Sequence, residues 1–342
     1  MLAFIEFLRA IATVLIANSH FKGVYPNDIF SFGGGFGLAL FYMISGYLLA
    51  NIKADTSFWP WYGKRLIRLY VPLWLVRAAE LIIWSGSIKS VKGFVFSFIF
   101  PGTWFGASIA IIYVIYFFTV KYLCLRRGTK PVYIICVVMA LCYYAMFIFR
   151  PQFSLFSIQT LTFADAFSVE TPYAITQTVW VICIFTGYAI RKREKSPSGR
   201  DALWAGAVVA CVGAFAAIRL FNGSGEREWL EALLLPDYVL FATSMFMLFL
   251  PHEAGLSKAI ATVPGKAVKL VSACSLEIYY IQFWFINNFK QLQFPVNLLL
   301  ICIGITITAY IIHIASKTII KASGNIRSRL STVKRKHEDN SD

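Results

Sequence analysis

The sequence predicts an all-α fold, a polytopic transmembrane helix bundle of about ten spans with both termini in the cytoplasm. Three observations predict it. Apolar residues make up 58% of the 342 residues and charged residues only 14%, against about 25% charged in a typical soluble domain; the mean hydropathy is +0.66. The apolar residues come in runs of about 20, the length a helix needs to cross a bilayer. The basic residues fall between those runs in an alternating pattern, as loops on opposite sides of a membrane would.

The runs lie near 3–21, 33–50, 69–84, 104–123, 131–149, 173–190, 201–220, 236–251, 271–289 and 295–315. A further run, 94–100, is too short to span and reads as an interfacial turn before Pro101. The first run is broken by Glu6 and Arg9 and has no Lys or Arg before Arg9, so it reads as a retained span and not as a cleaved signal. With ten spans, the loops on the side of the termini, together with the tail, hold 23 of the 32 Lys and Arg residues; the opposite loops hold 7, and Arg9 and Arg77 lie within spans. The positive side is the cytoplasmic one. Residues 1–316 then form the membrane domain. Residues 317–342 form a basic cytoplasmic tail, peripheral or disordered and suited to anionic lipid. The long outward loops are about 150–172 and 221–235, the second carrying Glu226, Glu228 and Glu231.

Composition also excludes some functions. The net charge of +15 is spread over loops, not gathered on one soluble face, so nucleic acid is not an expected partner; membrane lipids are. The seven cysteines lie almost wholly inside apolar runs and form no C-x-x-C pair, so neither a metal site nor a disulfide framework is expected. Gly33-Gly34-Gly35 lacks the following Lys-Ser/Thr of a phosphate loop.

Ionisable residues inside a span are costly and are functional candidates by default. They are Glu6, Arg9, His20, Arg77, Glu80, Glu277 and His313. Arg9 and His20 are eleven residues apart, which on an α-helix returns to within about 20° of the starting direction after a rise of about 16 Å. Both therefore share one helix face, too far apart to touch. Such a pair suits a long substrate entering from the cytoplasm: a guanidinium near the entrance holds phosphate or carbonyl oxygen, and an imidazole farther in takes a proton from a hydroxyl. Glu6, three residues before Arg9, is placed to pair with it. The same residues also fit a plain Glu–Arg ion pair with a histidine at the span's end.

Three further groups have two readings each. In Tyr42-Met43-Ile44-Ser45-Gly46, Ser45 and Gly46 are small enough for close helix packing, or Tyr42 and Ser45 line a site. Arg65 and Arg68, at i, i+3 between spans two and three, are ordinary positive-side anchors or a clamp for phosphates. Arg77 and Glu80 neutralise each other, or join Glu277 around a polar cavity. His252 reads as structural.

These residues carry a resemblance. Glu6-Phe7-Leu8-Arg9, with His20 following after ten residues, resembles the opening of the acyltransferase-3 family of membrane acyltransferases. Phe41 to Tyr47 resembles that family's second-span Ser-Gly signature, Lys64-Arg65-Leu66-Ile67-Arg68 with Pro72 its cytoplasmic Arg-x-x-Arg segment, and Trp104-Phe105 the opening of its fourth span. Ser275 to Ile281 is similar to its late Ser-x-x-x-Tyr-Leu segment, although Gln282 stands where many members have His. The match is strongest over about residues 5–110; from 110 to 270 it lies in hydropathy alone.

The resemblance implies transfer of an acyl group, usually acetyl, from cytoplasmic acyl-CoA to a glycan at or beyond the outer leaflet of the bacterial cytoplasmic membrane. The acceptor would be a surface polysaccharide or a lipid-linked oligosaccharide, and acetyl-CoA a donor substrate, with no resident cofactor. On this reading His20, Arg9 and Glu6 are catalytic, Arg65 and Arg68 bind acyl-CoA, and Tyr42, Ser45, Trp104, Arg77, Glu80 and Glu277 line the site. Two other classes compete: a glycan flippase or polymerase, expected to spread its charges over middle spans or large outer loops, and a proton-coupled transporter relaying through Glu6, Arg9, His20 and Glu277.

Overall fold

The computed structural model describes residues 2–83, 104–149, 172–193, 199–221 and 228–338. The short run at 94–100, most of the loop at 150–172 and part of the loop at 221–235 lie outside those residues. Among the described residues there is no β-strand. The helices are α1 (Ala3–Ser19), α2 (Gly34–Leu49), α3 (Phe58–Ile83), α4 (Trp104–Phe118), α5 (Lys130–Phe149), α6 (Pro172–Arg191), α7 (Asp201–Phe221), α8 (Leu234–Phe249), α9 (Glu253–Ile260), α10 (Val263–Ala273), α11 (Ser275–Phe289) and α12 (Val296–Glu338). A π-helical turn, Thr119–Cys124, and a last turn, Leu125–Arg127, prolong α4.

Among the described residues six stretches are long and apolar enough to cross a membrane: Asp28–Leu49, Phe105–Arg127, Lys130–Phe149, Asp201–Phe221, Trp229–Ile260 and Val296–Ser323. The chain is thus a multi-pass membrane protein of helices. Helices α1 and α11, at 17 and 15 residues, are shorter, and α3 carries Lys64, Arg65, Arg68, Arg77 and Glu80 along its length. On α5 the apolar side chains of Ile134, Val137, Leu141 and Ile148 are exposed. Contiguous apolar surface of that kind suits lipid and not water.

Two expectations need revision, at 271–289 and beyond Lys317, and one start moves. Arg65 and Arg68 are helical as their spacing implied, but α3 begins at Phe58, well before the span expected from 69, and carries them in the same helix as Arg77 and Glu80. It stays helical through Pro72, whose ring nitrogen cannot donate to the Arg68 carbonyl; the neighbouring Leu69 carbonyl accepts from the Tyr280 hydroxyl of α11 at 3.4 Å. The run at 271–289 is not one helix but two, α10 and α11, meeting at Cys274, whose φ/ψ of −91°/12° leaves the α region. The segment after Lys317 is not irregular in backbone: α12 runs 43 residues to Glu338 without a break.

Helix α1 sits at the centre, packed on α2, α10 and α11 and touching α8 and α9, while α2 lies against α6 and α4 leans on α3 and α6. The closest approach is between α2 and α6. A Cβ on Gly46 would fall 1.7 Å from the Ile184 carbonyl oxygen, and one on Gly187 2.0 Å from that of Met43. Two glycines thus let the backbones touch, so for Gly46 the packing reading holds. The Gly33 residue before α2 has φ +105°, a conformation that only glycine adopts at little cost. This turn folds α2 back along α1.

The start of α1 is fixed by another helix. The Ala3 and Phe4 N–H groups donate to the two carboxylate oxygens of Glu253 at 2.8 and 2.9 Å. That satisfies two of the four donors a helix N-terminus leaves open, with a charge of the sign its dipole favours.

Candidate active site

The site is built along one face of α1. His20 follows the last helical residue, but its backbone keeps the α region (φ −94°, ψ −3°) and its N–H bonds the Ala17 carbonyl at 3.1 Å. The helical arithmetic therefore holds through His20: Arg9, Thr13, Ile16 and His20 all fall within about 60° of one another. They form a row with three distinct surroundings.

The first is cationic. Tyr113 of α4 donates to Ser45 Oγ of α2 at 3.5 Å, and Arg9, Arg65 and Arg68 all act on it electrostatically. Helices α1, α2, α3 and α4 thus converge here, joining three arginines whose sequence separations give no hint of it. The Arg65 guanidinium lies 3.8 Å over the Trp61 ring and donates to the Trp61 carbonyl, while its Nε is buried without a partner. Among the described residues, no carboxylate closes an ion pair with Arg9, Arg65 or Arg68. A guanidinium group presents a planar fork of donors that matches phosphate or carboxylate, so this cluster is suited to an anion or a carbonyl-rich chain.

Glu6 is only 7% exposed, and its carboxylate accepts from the Ser272 hydroxyl of α10. The Glu6–Arg9 bridge expected from their spacing is not among the ion pairs of the described residues. Glu6 remains Arg9's acidic neighbour, so it tempers the charge while tying α1 to α10.

The second surrounding is a cavity of about 20 Å³ lined by Thr13, Ile16, Phe41, Phe105, Ser275, Leu276, Ile278, Tyr279 and Gln282. Space of that size takes one group as large as a water molecule and has no room for a long flexible arm. The Thr13 hydroxyl is returned to the Arg9 carbonyl at 2.8 Å. Gln282 is 0% exposed, yet neither its Nε2 nor its Oε1 has a hydrogen-bond partner. Each such buried, unsatisfied group costs about 1–3 kcal/mol.

The third is His20 itself. Its ring meets Phe283 edge-on, with centroids 4.6 Å apart. Phe283 follows Gln282 on α11, so α11 serves both the cavity and the histidine.

Other candidates stand apart. Tyr42 is fully buried, hydrogen-bonded at 2.6 Å to Ser108, which bonds Gln177, and its ring stacks on Trp180 at 5.6 Å; these bonds knit α2, α4 and α6 together. Arg77 and Glu80 pair with each other on α3. Glu277, 4% exposed, bonds His313 Nδ1 of α12 at 3.0 Å and does not line the cavity. Trp104 opens α4, and its side chain is outside the described set. His252 pairs with Asp201 at 3.0 Å, joining the start of α7 to the α8–α9 link. Among the described residues no group of His, Cys, Asp and Glu is arranged to hold a metal ion.

Sequence reasoning missed Thr13 and Tyr113; it marked the segment Ser275 to Gln282 but named Glu277 there as site lining, where the cavity takes Ser275, Leu276, Ile278, Tyr279 and Gln282 instead. Thr13 carries a signal, since four residues beyond Arg9 is about 40° away on the same face. Tyr113 carries none, as it lies in an uninterrupted apolar run.

A family profile described as an acyltransferase domain, Acyl_transf_3, matches residues 2–316. No curated protein and no solved structure gives a significant match.

Proposed function

The chain belongs to the acyltransferase-3 family, and from that premise we propose that it is a membrane O-acyltransferase moving an acetyl group from cytoplasmic acyl-CoA to a hydroxyl of a surface polysaccharide or lipid-linked glycan. One observation carries the proposal: a cationic cluster, a small cavity and an imidazole succeed one another along a single face of α1. The family accounts for acyl transfer; the donor, the acceptor and the roles of the residues are our reading.

In this reading the nucleotide end of CoA rests on Arg65 and Arg68, and the pantetheine arm runs past Arg9. The thioester reaches His20, where the acceptor hydroxyl meets it near the outer end of α1. The His20 imidazole takes the hydroxyl proton as oxygen attacks the thioester carbonyl. Charge placement supports the direction. Arg9, Arg65 and Arg68 lie at the end of the row toward the start of α1, the end that ten spans with cytoplasmic termini would put in the cytoplasm. The enzyme would then sit in the bacterial cytoplasmic membrane, its donor on one side and its acceptor on the other.

Membranes containing the protein, given acetyl-CoA and glycan from cells that lack it, are expected to release free CoA as the glycan gains acetyl groups. A flippase, polymerase or proton-coupled transporter releases none, and a result without CoA release overturns the proposal. Deleting the gene and weighing the surface glycans checks the acceptor: the expected loss comes in steps of one acetyl mass.

A further inference from the structure

The end of α1 opposite Arg9 opens onto a group of exposed aromatic rings that neither the cationic cluster nor the helix packing uses. Two connecting segments meet there, residues 20–33 between α1 and α2 and residues 290–295 between α11 and α12. The buried Asn297 amide ties them, donating to the Val24 carbonyl at 2.8 Å. The Tyr25 ring meets both Phe30 and Phe294, with centroids 6.1 and 6.3 Å away. Phe30 is 57% exposed and Phe294 44%. Phe21, next in the chain to His20, meets the Tyr25 ring in turn at 6.1 Å, so the rings continue outward from the imidazole.

These rings are held in place. Asn18, two residues before His20, donates through its amide to the Phe30 and Phe32 carbonyls at 2.7 and 3.0 Å and accepts from the Tyr25 hydroxyl at 2.7 Å. The Gly23 N–H donates to the Asp28 carboxylate and the Ile29 N–H to the Asn27 side chain. All of these bonds fix a loop whose apolar rings stay exposed, which packing alone does not reward. A surface ordered in advance binds its ligand at a smaller entropic cost, and apolar groups gathered on exposed loops mark binding sites.

Charge selects the ligand. The two segments together carry only Lys22, Asp28 and Lys290, and Asp28 is engaged within its own loop. Neutral amides are at hand instead: Asn287, exposed one helical turn beyond Phe283, and Gln293, exposed next to Phe294. An anionic lipid headgroup calls for a cluster of cations, and so does a nucleotide phosphate. Flat rings beside neutral amides suit a ligand with apolar C–H faces and a rim of uncharged hydroxyls, which describes a neutral sugar ring.

We infer that Tyr25, Phe30 and Phe294 form a stacking platform for a neutral sugar ring of the acceptor, next to the imidazole that its hydroxyl must reach. The inference rests on the acyl-transfer reading and adds to it where the acceptor sits and what chemistry recognises it. The rings cover the apolar face of the sugar, and the amides of Asn287 and Gln293, each both donor and acceptor, answer its hydroxyls.

The test is acyl transfer by membranes containing the full chain, with acetyl-CoA as donor and glycan from cells that lack the protein as acceptor, each varied in turn. Phe30→Leu and Phe294→Leu keep an apolar side chain and lose the flat ring. Together they should raise KM for the glycan about tenfold, the scale of two aromatic contacts, and leave kcat and KM for acetyl-CoA in place. Phe294→Trp, which keeps a ring, should hold the glycan KM at the wild-type value. An unchanged glycan KM in the double leucine variant overturns the inference, because the rings would then be apolar anchors in lipid, a role leucine serves as well. An equal rise in KM for acetyl-CoA also overturns it, because the rings would then be scaffold for the whole site. If the double variant does not reach the membrane, Phe30→Leu alone, at the most exposed of the three rings, decides by the same two readings. Failure of the underlying reading looks different: wild-type membranes would release no CoA at all.

Discussion

Near Arg9 the charges of three guanidinium groups act on one tyrosine, with Arg65 seated on the Trp61 ring; near His20, about 16 Å along the same face of α1, a single imidazole rests against Phe283. The first region has several donors of one kind, able to share the charge of an anion. The second has one titratable group and no charged residue paired with it among the described residues. Binding spread over several cations is tolerant of loss, whereas a proton transfer entrusted to one ring is not. On the proposed roles the contrast would separate affinity from chemistry along one helix, and substitutions at the two ends should read out differently.

The largest effect is expected at the histidine. His20→Ala should lower acyl transfer by about 10²–10⁴-fold, the usual contribution of a general base, while the protein stays in the membrane and still binds CoA. A normally acetylated glycan from that variant would remove His20 from the chemistry. The next largest is expected at the cations. Arg65→Ala with Arg68→Ala should raise KM for acyl-CoA by about 10–100-fold, the equivalent of about one hydrogen bond to a charged group (about 1.5–3 kcal/mol) because Arg9 still shares the ligand's charge, and should change kcat much less. An unchanged KM would mean these arginines serve only as anchors on the positive side. If instead kcat fell and KM held, the division between the two ends of α1 would be wrong.

A smaller effect sharpens the histidine end. The Phe283 ring fixes the His20 ring from the side, and aromatic contacts of this kind are worth about 0.5–1.5 kcal/mol. Phe283→Ala should therefore reduce kcat by about tenfold or less and leave KM for acyl-CoA in place. Phe283→Tyr, which keeps the ring, should restore most of the rate. Equal rates in all three proteins would show that the contact does not position the imidazole.

The two ends also differ in how far the sequence revealed them. The placement of Arg9 and His20 on one face was legible because an α-helix has a fixed period and the whole relation lies within one element. Arg65 and Arg68 were legible as a pair for the same reason. What joined them to Arg9 was not, since it depends on Tyr113 arriving from α4, and nothing in an apolar run marks one tyrosine for that place. Charge pairing failed for a related reason. Spacing within a helix suggested Glu6 with Arg9, yet the Glu6 carboxylate found Ser272, 266 residues away, and Glu277 found His313 on α12. A buried carboxylate takes the donors that tertiary packing brings, and packing between spans leaves little trace in one sequence. The breaks and extensions of helices, at Cys274 and beyond Lys317, were hidden likewise, because no proline or glycine marks the first and polarity alone does not end a helix.

The smallest predicted effect concerns how α1 is held in register between its two ends. At its start the Glu253 carboxylate spans the Ala3 and Phe4 N–H groups. At its finish the turn at His20 is closed by the helix's own Ala17 and the next residue by Asn18. The first anchor comes from another helix and can be removed without touching α1, while the second cannot. Removing a capping side chain costs about 0.5–2 kcal/mol, so Glu253→Ala should lower stability by about 1 kcal/mol, read as a fall in the thermal midpoint of the detergent-solubilised protein. Glu253→Gln keeps an acceptor oxygen but loses the charge that favours a helix N-terminus, and its loss should be roughly half as large. In both variants the donor KM should rise before kcat falls, because the fraying turn lies six residues from Arg9 and seventeen from His20. If kcat falls first, a displacement at the start of α1 travels the whole helix, and the two ends act as one rigid unit and not as separate stations.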